Sequence, residues 1–211
     1  MSNLLIVESE NDKYFFEALI EYIKVDIKVD PPILSVDEYE CLGGISKLKN
    51  KLESIKSQVD KGHVDKLGII FDADKVGIES RKQTINEEFD SVFGSEHDLG
   101  IEVHILNIDG YGELETLLRQ IKSKPSENSD CLDSWRLCRS SKNLPEISDK
   151  DFDKLWVSFY HRYDSCSNQE KKQAARKCSN EASFKKPIYD FSMEQQELTE
   201  LKEFLLQFSS K

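Results

Sequence analysis

Acidic side chains follow three predicted strands of the sequence, two of which are apolar runs while the third alternates. Glu8 comes directly after Leu-Leu-Ile-Val, Asp72 and Asp74 follow Gly-Ile-Ile-Phe, and a third acidic group follows residues 101–108. Carboxylate oxygens are preferred ligands of Mg²⁺, and carboxylates placed close together repel one another unless a cation joins them. Two such ions can stabilise the attacking and leaving oxygens of phosphoryl transfer, so the pattern predicts phosphodiester chemistry.

Acids at strand ends also have a structural explanation, because they cap the next helix and interact with the positive end of its dipole. That explanation fully accounts for Asp12 and for Glu113 of the third group, which also contains Asp109 and Glu115. The succession of three acidic groups favours a metal site over capping alone. Asp72 and Asp74 are two positions apart, so in an extended chain they point to the same side.

A repeating order of strands and helices positions these acids. Strands are predicted at 4–7, somewhere within 33–42, at 67–71 and at 101–108; helices are predicted from Asn11, over 45–59, over 78–93 and from Glu113. This alternation implies an α/β fold, a Rossmann-like and mostly parallel four-stranded sheet with helices on both faces. In such sheets, ligands bind in the crevice outside the carboxyl ends of the strands.

The remainder of the chain is predicted to be a helical extension. Residues 122–149 are rich in Ser, Lys and Asp and predict a loop, whereas apolar stripes at helical spacing follow within 152–160 and 194–208. We therefore predict an α/β domain over 1–124 and a helical extension over 125–211 that packs on the same domain.

Composition and charge restrict the class of protein. The net charge is −11, yet residues 119–190 contain 15 Lys and Arg against 11 Asp and Glu. No apolar run approaches the ~20 residues that span a bilayer, and the N-terminal apolar run is too short for a signal peptide, which predicts a cytoplasmic protein without membrane contact. The five cysteines form no CxxC pair, so we predict five reduced thiols.

Two stretches resemble the motifs of Toprim domains. IVESENDKYFFEALI resembles the first motif, an apolar strand followed by EGxxD, and LGIIFDADKVG resembles the second, an apolar strand that ends in DxD. The pair Gly43-Gly44 before a helix and a G-x-L-E stretch at 112–115 are similar to stand-alone Toprim proteins related to OLD-type nucleases. The resemblance covers roughly the first 120 residues, and Ser9 stands where these proteins usually have Gly.

The resemblance implies a nuclease that depends on Mg²⁺ or Mn²⁺. Glu8 is then a metal ligand and a catalytic acid or base, and the other implied metal ligands are Asp12, Asp72, Asp74 and Glu115. OLD-type enzymes also use a lysine from their C-terminal part. The stretch SFKKPIYDF offers Lys185 and Lys186, either of which could stabilise charge on the scissile phosphate.

The same resemblance suggests partners and leaves alternatives open. Nucleic acid is the expected substrate, with DNA favoured over RNA, and a separate ATPase polypeptide is an expected partner in phage defence, because no Walker loop follows any predicted strand. A homodimer stays open. The alternatives are a Toprim ribonuclease that processes RNA and a non-catalytic Toprim-like binding or regulatory module.

Overall fold

The structure is a computed structural model that describes residues 2–31, 44–95, 97–108 and 113–209. Its strands are β1 (Ser2–Ile6), β2 (Ile27–Val29), β3 (Val64–Asp72) and β4 (Gly100–Leu106). Its helices are α1 (Glu10–Ile23), α2 (Leu48–Asp60), α3 (Ile78–Phe93), α4 (Leu114–Gln120), α5 (Glu127–Ser141), α6 (Asp149–Phe159), α7 (Asn168–Lys171), α8 (Ala174–Lys177), α9 (Asn180–Phe184) and α10 (Gln196–Leu206). A 3-10 turn at Gly44–Lys47 leads into α2, and a π-helical turn at Tyr160–Asp164 follows α6.

The chain forms two compact units. The sheet unit comprises Met1–Tyr111 with Gln196–Lys211, and the helical unit comprises Gly112–Gln195. The helical extension predicted for 125–211 is thus divided between them, because α10 groups with the sheet. None of the helices in the described ranges has both the length and the apolar character needed to cross a membrane.

The sheet has the strand order β2-β1-β3-β4, and all of its pairings are parallel. Central parallel strands are buried on both faces, which explains why the prediction from apolar runs succeeded for β1 and β3. The edge strand β4 is mostly only partly buried, and it was predicted from its alternation instead. The predicted α/β class with a parallel, helix-flanked sheet is confirmed. The crossover helices α1, α2 and α3 begin near the predicted positions, and α3 has the predicted bounds.

The strand that pairs with β1 at one edge of the sheet was not predicted. It is β2 at Ile27–Val29, and the predicted interval 33–42 lies outside the described residues. Ile27 and Val29 are buried on either side of exposed Lys28. A three-residue strand of this kind presents one alternation only, which is too little for a periodicity argument to detect.

One face of the sheet packs against α2 and α3. The buried residues of this core include Leu4 and Ile6 of β1, Leu67, Ile69 and Phe71 of β3, Ala73 after it, Leu48, Leu52 and Ile55 of α2, Ile85 and Phe89 of α3, and Ile105 of β4. The other face meets the residues after α10, since a Cβ added at Gly68 would lie 2.9 Å from the ring of Phe208. Alternate residues of β3 therefore serve opposite faces of the sheet.

The helical unit contains a helix where a loop was predicted. Within 122–149, α5 spans Glu127–Ser141, but only Ser129 and Leu132 of its residues are buried. Its first N–H groups are satisfied from outside the helix, because the Asp164 carboxylate accepts bonds from the N–H groups of Asn128 and Ser129, both at 3.0 Å. This helix is capped by a residue distant in sequence and buries only two side chains, so the local sequence has neither a capping motif nor an apolar stripe that predicts it.

The prediction of five reduced thiols is wrong for two of them. Cys166 and Cys178 form a disulfide across a separation of 12 residues, whereas Cys131 and Cys138 are free and exposed. Cys41 lies outside the described residues. The short helices α7 and α8 fold the chain back so that the two α-carbons come within 6.0 Å. The spacing of these cysteines in the sequence does not predict that they pair.

Candidate functional site

The strand order creates one topological switch point, between β1 and β3. From β1 the chain passes to β2 on one side, and it then returns to β3 on the other side of β1. Open α/β sheets bind ligands at this point, in the crevice outside the carboxyl ends of the two strands. Glu8 follows β1 and Asp72 is the last residue of β3, so the first two acidic groups flank the switch point.

Gly44 holds the side chain of Glu8. The Gly44 N–H donates to Glu8 Oε1 at 3.2 Å. A Cβ at position 44 would lie 2.5 Å from Glu8 Cγ and 2.8 Å from Oε1, distances that real Cβ atoms do not tolerate. Glycine at this position is therefore what allows the backbone ahead of α2 to approach the carboxylate.

Ser9 and Asp12 together cap helix α1. The Asp12 N–H donates to Ser9 Oγ at 3.3 Å, and the Ser9 N–H donates to Asp12 Oδ2 at 2.7 Å. This is a capping box, and it accounts for Asp12 without a metal. Ser9 has an extended backbone with φ −126°, a conformation open to any residue, so the usual glycine of the Toprim motif is not required here.

Asp72 and Asp74 differ in their surroundings. Phe71 and Ala73 are buried in the core that includes α2 and α3. Because side chains alternate along a strand, the side chain of Asp72 between them is directed to the opposite face of the sheet. The strand ends there, and Asp74 has a left-handed φ of 48°, so the expectation of an extended chain through both residues is wrong. Asp74 Oδ2 lies 2.7 Å from Nη2 of Arg81, a buried residue of α3.

The donor set fits a cation only in part. In the described part of the chain, no three His, Cys, Asp or Glu side chains are grouped closely enough to hold a metal ion. Mg²⁺, however, is commonly bound by one or two carboxylates that are completed by waters and substrate phosphates. Glu8 and Asp72 supply two carboxylates at the ends of neighbouring strands, but Glu8 is bound by Gly44 ahead of α2, whereas Asp72 leaves β3 on the face away from α2 and α3. The convergence of these acids on one Mg²⁺ therefore stays a prediction, and Asp74 already bonds to a guanidinium.

Glu115 belongs to the helical unit. It lies in the first turn of α4 and is buried. Burial raises the pKa of its carboxyl, against the attraction of Lys154. Its neighbour Glu113 forms ion pairs with Lys150 and with Lys154, the latter at 3.4 Å. The surroundings of Glu115 thus already contain the cations that offset its charge.

Lys185 and Lys186 also lie in the helical unit, and both have partners. Lys185 is exposed and pairs with Glu181 one helical turn earlier, with 2.5 Å between Nζ and Oε1. Lys186 Nζ contacts Glu170 Oε1 at 2.8 Å, the carbonyl of Lys177 at 2.9 Å and Cys166 Sγ at 3.4 Å. Lys186 therefore connects α7, the end of α8 and Cys166 through its side chain. A catalytic role for either lysine stays a prediction.

A buried polar network surrounds His161, and it was not predicted from the sequence. His161 Nε2 lies 2.5 Å from the hydroxyl of Tyr189, and Nδ1 lies 3.1 Å from Asn180 Oδ1. Burial lowers the pKa of His161 to about 4, partly offset by the bond to Asn180 and reinforced by Lys186. No spacing in the sequence connects these residues, because they meet only through the packing of α9 and the segment after it.

Comparison with known proteins yields one match. The family model described as "Protein of unknown function (DUF3226)" matches residues 2–209, which span both units. No curated protein and no solved structure matches the chain. The resemblance to Toprim domains stays a prediction. By the extent of the family match, the chain is a member of the DUF3226 family.

Proposed function

We propose that this chain is a Mg²⁺-dependent nuclease, or the nuclease-like subunit of a larger assembly. The observation that carries the proposal is the location of Glu8 and Asp72 at the carboxyl ends of the two strands that flank the topological switch point. This is the crevice in which such sheets bind ligands. Two acids after adjacent central strands offer a ligand set for a hard cation that also binds phosphate.

Each acid has a part defined by its contacts. Glu8 is held by the Gly44 N–H, so its carboxylate is oriented before substrate binds. The guanidinium of Arg81 bonds to Asp74 and offsets its negative charge, which reduces the repulsion between Asp74 and Asp72. A bound Mg²⁺ would supply Lewis-acid stabilisation of charge on the phosphate. We assign Glu8 and Asp72 as metal ligands, Glu8 also as the acid or base, and Asp74 as their neighbour anchored to α3.

The substrate and partners follow from the same proposal. Nucleic acid supplies the phosphodiester, and we favour DNA over RNA. By analogy with phage defence systems that use a separate ATPase, we propose an ATPase polypeptide as partner, since no Walker loop follows a strand of this sequence. Mn²⁺ prefers similar oxygen ligands and should replace Mg²⁺.

A second candidate function is a non-catalytic binding module. The ion pair between Asp74 and Arg81 favours it, because the guanidinium occupies one oxygen that the DxD motif would offer to a metal. In that case the switch-point crevice binds a ligand without cleaving it. The two candidates differ in one observable property, which is cleavage that depends on added metal.

The test incubates the full chain with end-labelled single-stranded DNA, duplex DNA and RNA, in Mg²⁺, Mn²⁺ or EDTA. We expect cleavage in either metal, none in EDTA, and loss of cleavage in Glu8→Gln. Asp65→Asn is a matched control, because Asp65 is exposed near the amino end of the same strand that Asp72 closes. Equal cleavage by wild type and Glu8→Gln would overturn the nuclease assignment, and cleavage of RNA alone would identify a ribonuclease.

A further inference from the structure

The disulfide closes a short loop that projects cations. This disulfide loop, Cys166 to Cys178, contains α7 and α8 and lies within the helical unit. Residues 166–186 contain six Lys and Arg against two Asp and Glu, in a chain whose net charge is −11. This segment has an excess of four positive charges, which equals the whole excess of 15 Lys and Arg over 11 Asp and Glu in 119–190.

Three of these cations are uncompensated. Lys172, Arg176 and Lys177 are exposed, and no acidic side chain pairs with them in the ranges that the structure describes. The two acids of the segment are occupied elsewhere, because Glu170 pairs with Lys186 and Glu181 pairs with Lys185. Three such cations close together in the chain create a local positive potential, which favours an anionic partner.

The loop is fixed in shape before any partner arrives. The disulfide joins its ends, and Lys186 bonds to the Lys177 carbonyl and to Glu170. The bond from Lys186 is the main reason that the pKa of Glu170 falls to about 2, so Glu170 keeps its charge into acidic pH. A preorganised surface loses less entropy on binding than a flexible one.

An aromatic ring accompanies the cations. Tyr163 is 47% exposed, and Lys171 lies with Nζ 5.4 Å from the centre of its ring. Phe159 also packs against the ring, with 4.9 Å between ring centres. A supported, exposed aromatic ring beside lysines is the combination on which unpaired bases stack while the backbone contacts the cations.

We infer that the disulfide loop, together with Tyr163, binds the sugar-phosphate backbone and bases of single-stranded nucleic acid. The inference deepens the proposed nuclease function and rests on it for the identity of the partner. Lys172, Arg176 and Lys177 contact phosphates, and Tyr163 stacks on a base. Lys186 is a positioning residue that holds the loop, which assigns it a role other than the catalytic one implied by the resemblance.

The test measures binding of a labelled single-stranded oligonucleotide to the full chain in EDTA, over a range of salt concentrations. We expect Lys172→Gln, Arg176→Gln and Lys177→Gln combined to weaken binding about tenfold or more. The slope of log K against log salt should fall by about 2, since each single-strand phosphate contact contributes about 0.7. The control variant combines Lys28→Gln, Lys49→Gln and Lys61→Gln, three exposed lysines of the sheet unit, and changes the net charge equally.

The outcomes separate this inference from the proposed function. Equal weakening in both triple variants, or no change in either, would overturn the loop as the binding surface while metal-dependent cleavage still stood. Loop-dependent binding without cleavage in Mg²⁺ would retain the loop and reject the nuclease. Tyr163→Ser should weaken oligonucleotide binding several-fold without changing the salt slope. Binding to phosphatidylserine vesicles with none to the oligonucleotide would identify an anionic membrane instead and overturn the inference.

Discussion

The acidic edge of the sheet unit and the basic loop of the helical unit are positioned by different means. At the acidic edge, Glu8 and Asp72 are placed by backbone topology, because each follows a parallel strand that flanks the switch point. In the loop, Lys172 and Lys177 are placed by a disulfide and by the contacts of Lys186. The positions of the two acids along the chain are set by the sheet, whereas the shape of the loop depends on the contacts of single side chains.

The largest expected effect tests the acidic edge. Asp72→Asn keeps the shape of the side chain and removes its charge, so metal-dependent cleavage should fall by about a hundredfold or more, as for other groups that stabilise transition-state charge. We expect stability to stay unchanged or rise, because the substitution removes one of two like charges, Asp72 and Asp74, that lie two residues apart in the chain. Cleavage assays and thermal melting of the same preparations measure the two effects. A variant that melts lower and cuts normally would give Asp72 a structural role.

The second prediction concerns pH and the helical unit. The pKa of His161 is lowered to about 4 in the folded chain from 6.5, so the unfolded chain takes up the proton first as pH falls. The stability contribution is therefore complete above pH 6.5 and is lost between 6.5 and about 4, a loss of roughly 3 kcal/mol at most. Urea unfolding across this range should show a flatter pH dependence for His161→Gln than for wild type. His63→Gln, at an exposed position, should keep the wild-type profile; identical profiles for wild type and His161→Gln would contradict the assignment.

The third prediction removes the covalent tie of the disulfide loop. Cys166→Ser with Cys178→Ser should lower the free energy of unfolding by about 2 to 3 kcal/mol, because a crosslink over this separation limits the unfolded chain. Cys131→Ser with Cys138→Ser provides the control, since those thiols are free and exposed. Oligonucleotide binding in EDTA should weaken with the first pair only. Unchanged unfolding and binding in both pairs would show that the contacts of Lys186 alone hold the loop.

The same contrast explains how far the sequence could predict the molecule. Strands β1 and β3 contain apolar runs and β4 alternates, so their positions and the acids that follow them could be identified directly. The short β2, the polar helix α5 and the disulfide depend on tertiary partners such as Asp164, which periodicity does not detect. The pairing of Asp74 with Arg81 was equally hidden, because a motif specifies residue types and not their neighbours.

The smallest expected effect tests whether topology alone places Glu8. Gly44→Ala adds a methyl group that would meet Glu8 Cγ at 2.5 Å, so the carboxylate must move away from the Gly44 N–H or the turn must shift. Catalytic groups displaced by about 1 Å lose activity, so we expect cleavage to fall by about tenfold or more. The cost in stability should be about 1 kcal/mol, since Glu8 is partly exposed and can relax. Gly100→Ala is the matched control, because its added Cβ meets Lys66 Cγ at an ordinary 3.5 Å. If Gly44→Ala and Gly100→Ala cleave equally well, the position of Glu8 is not critical, and the acidic edge acts through Asp72 without it.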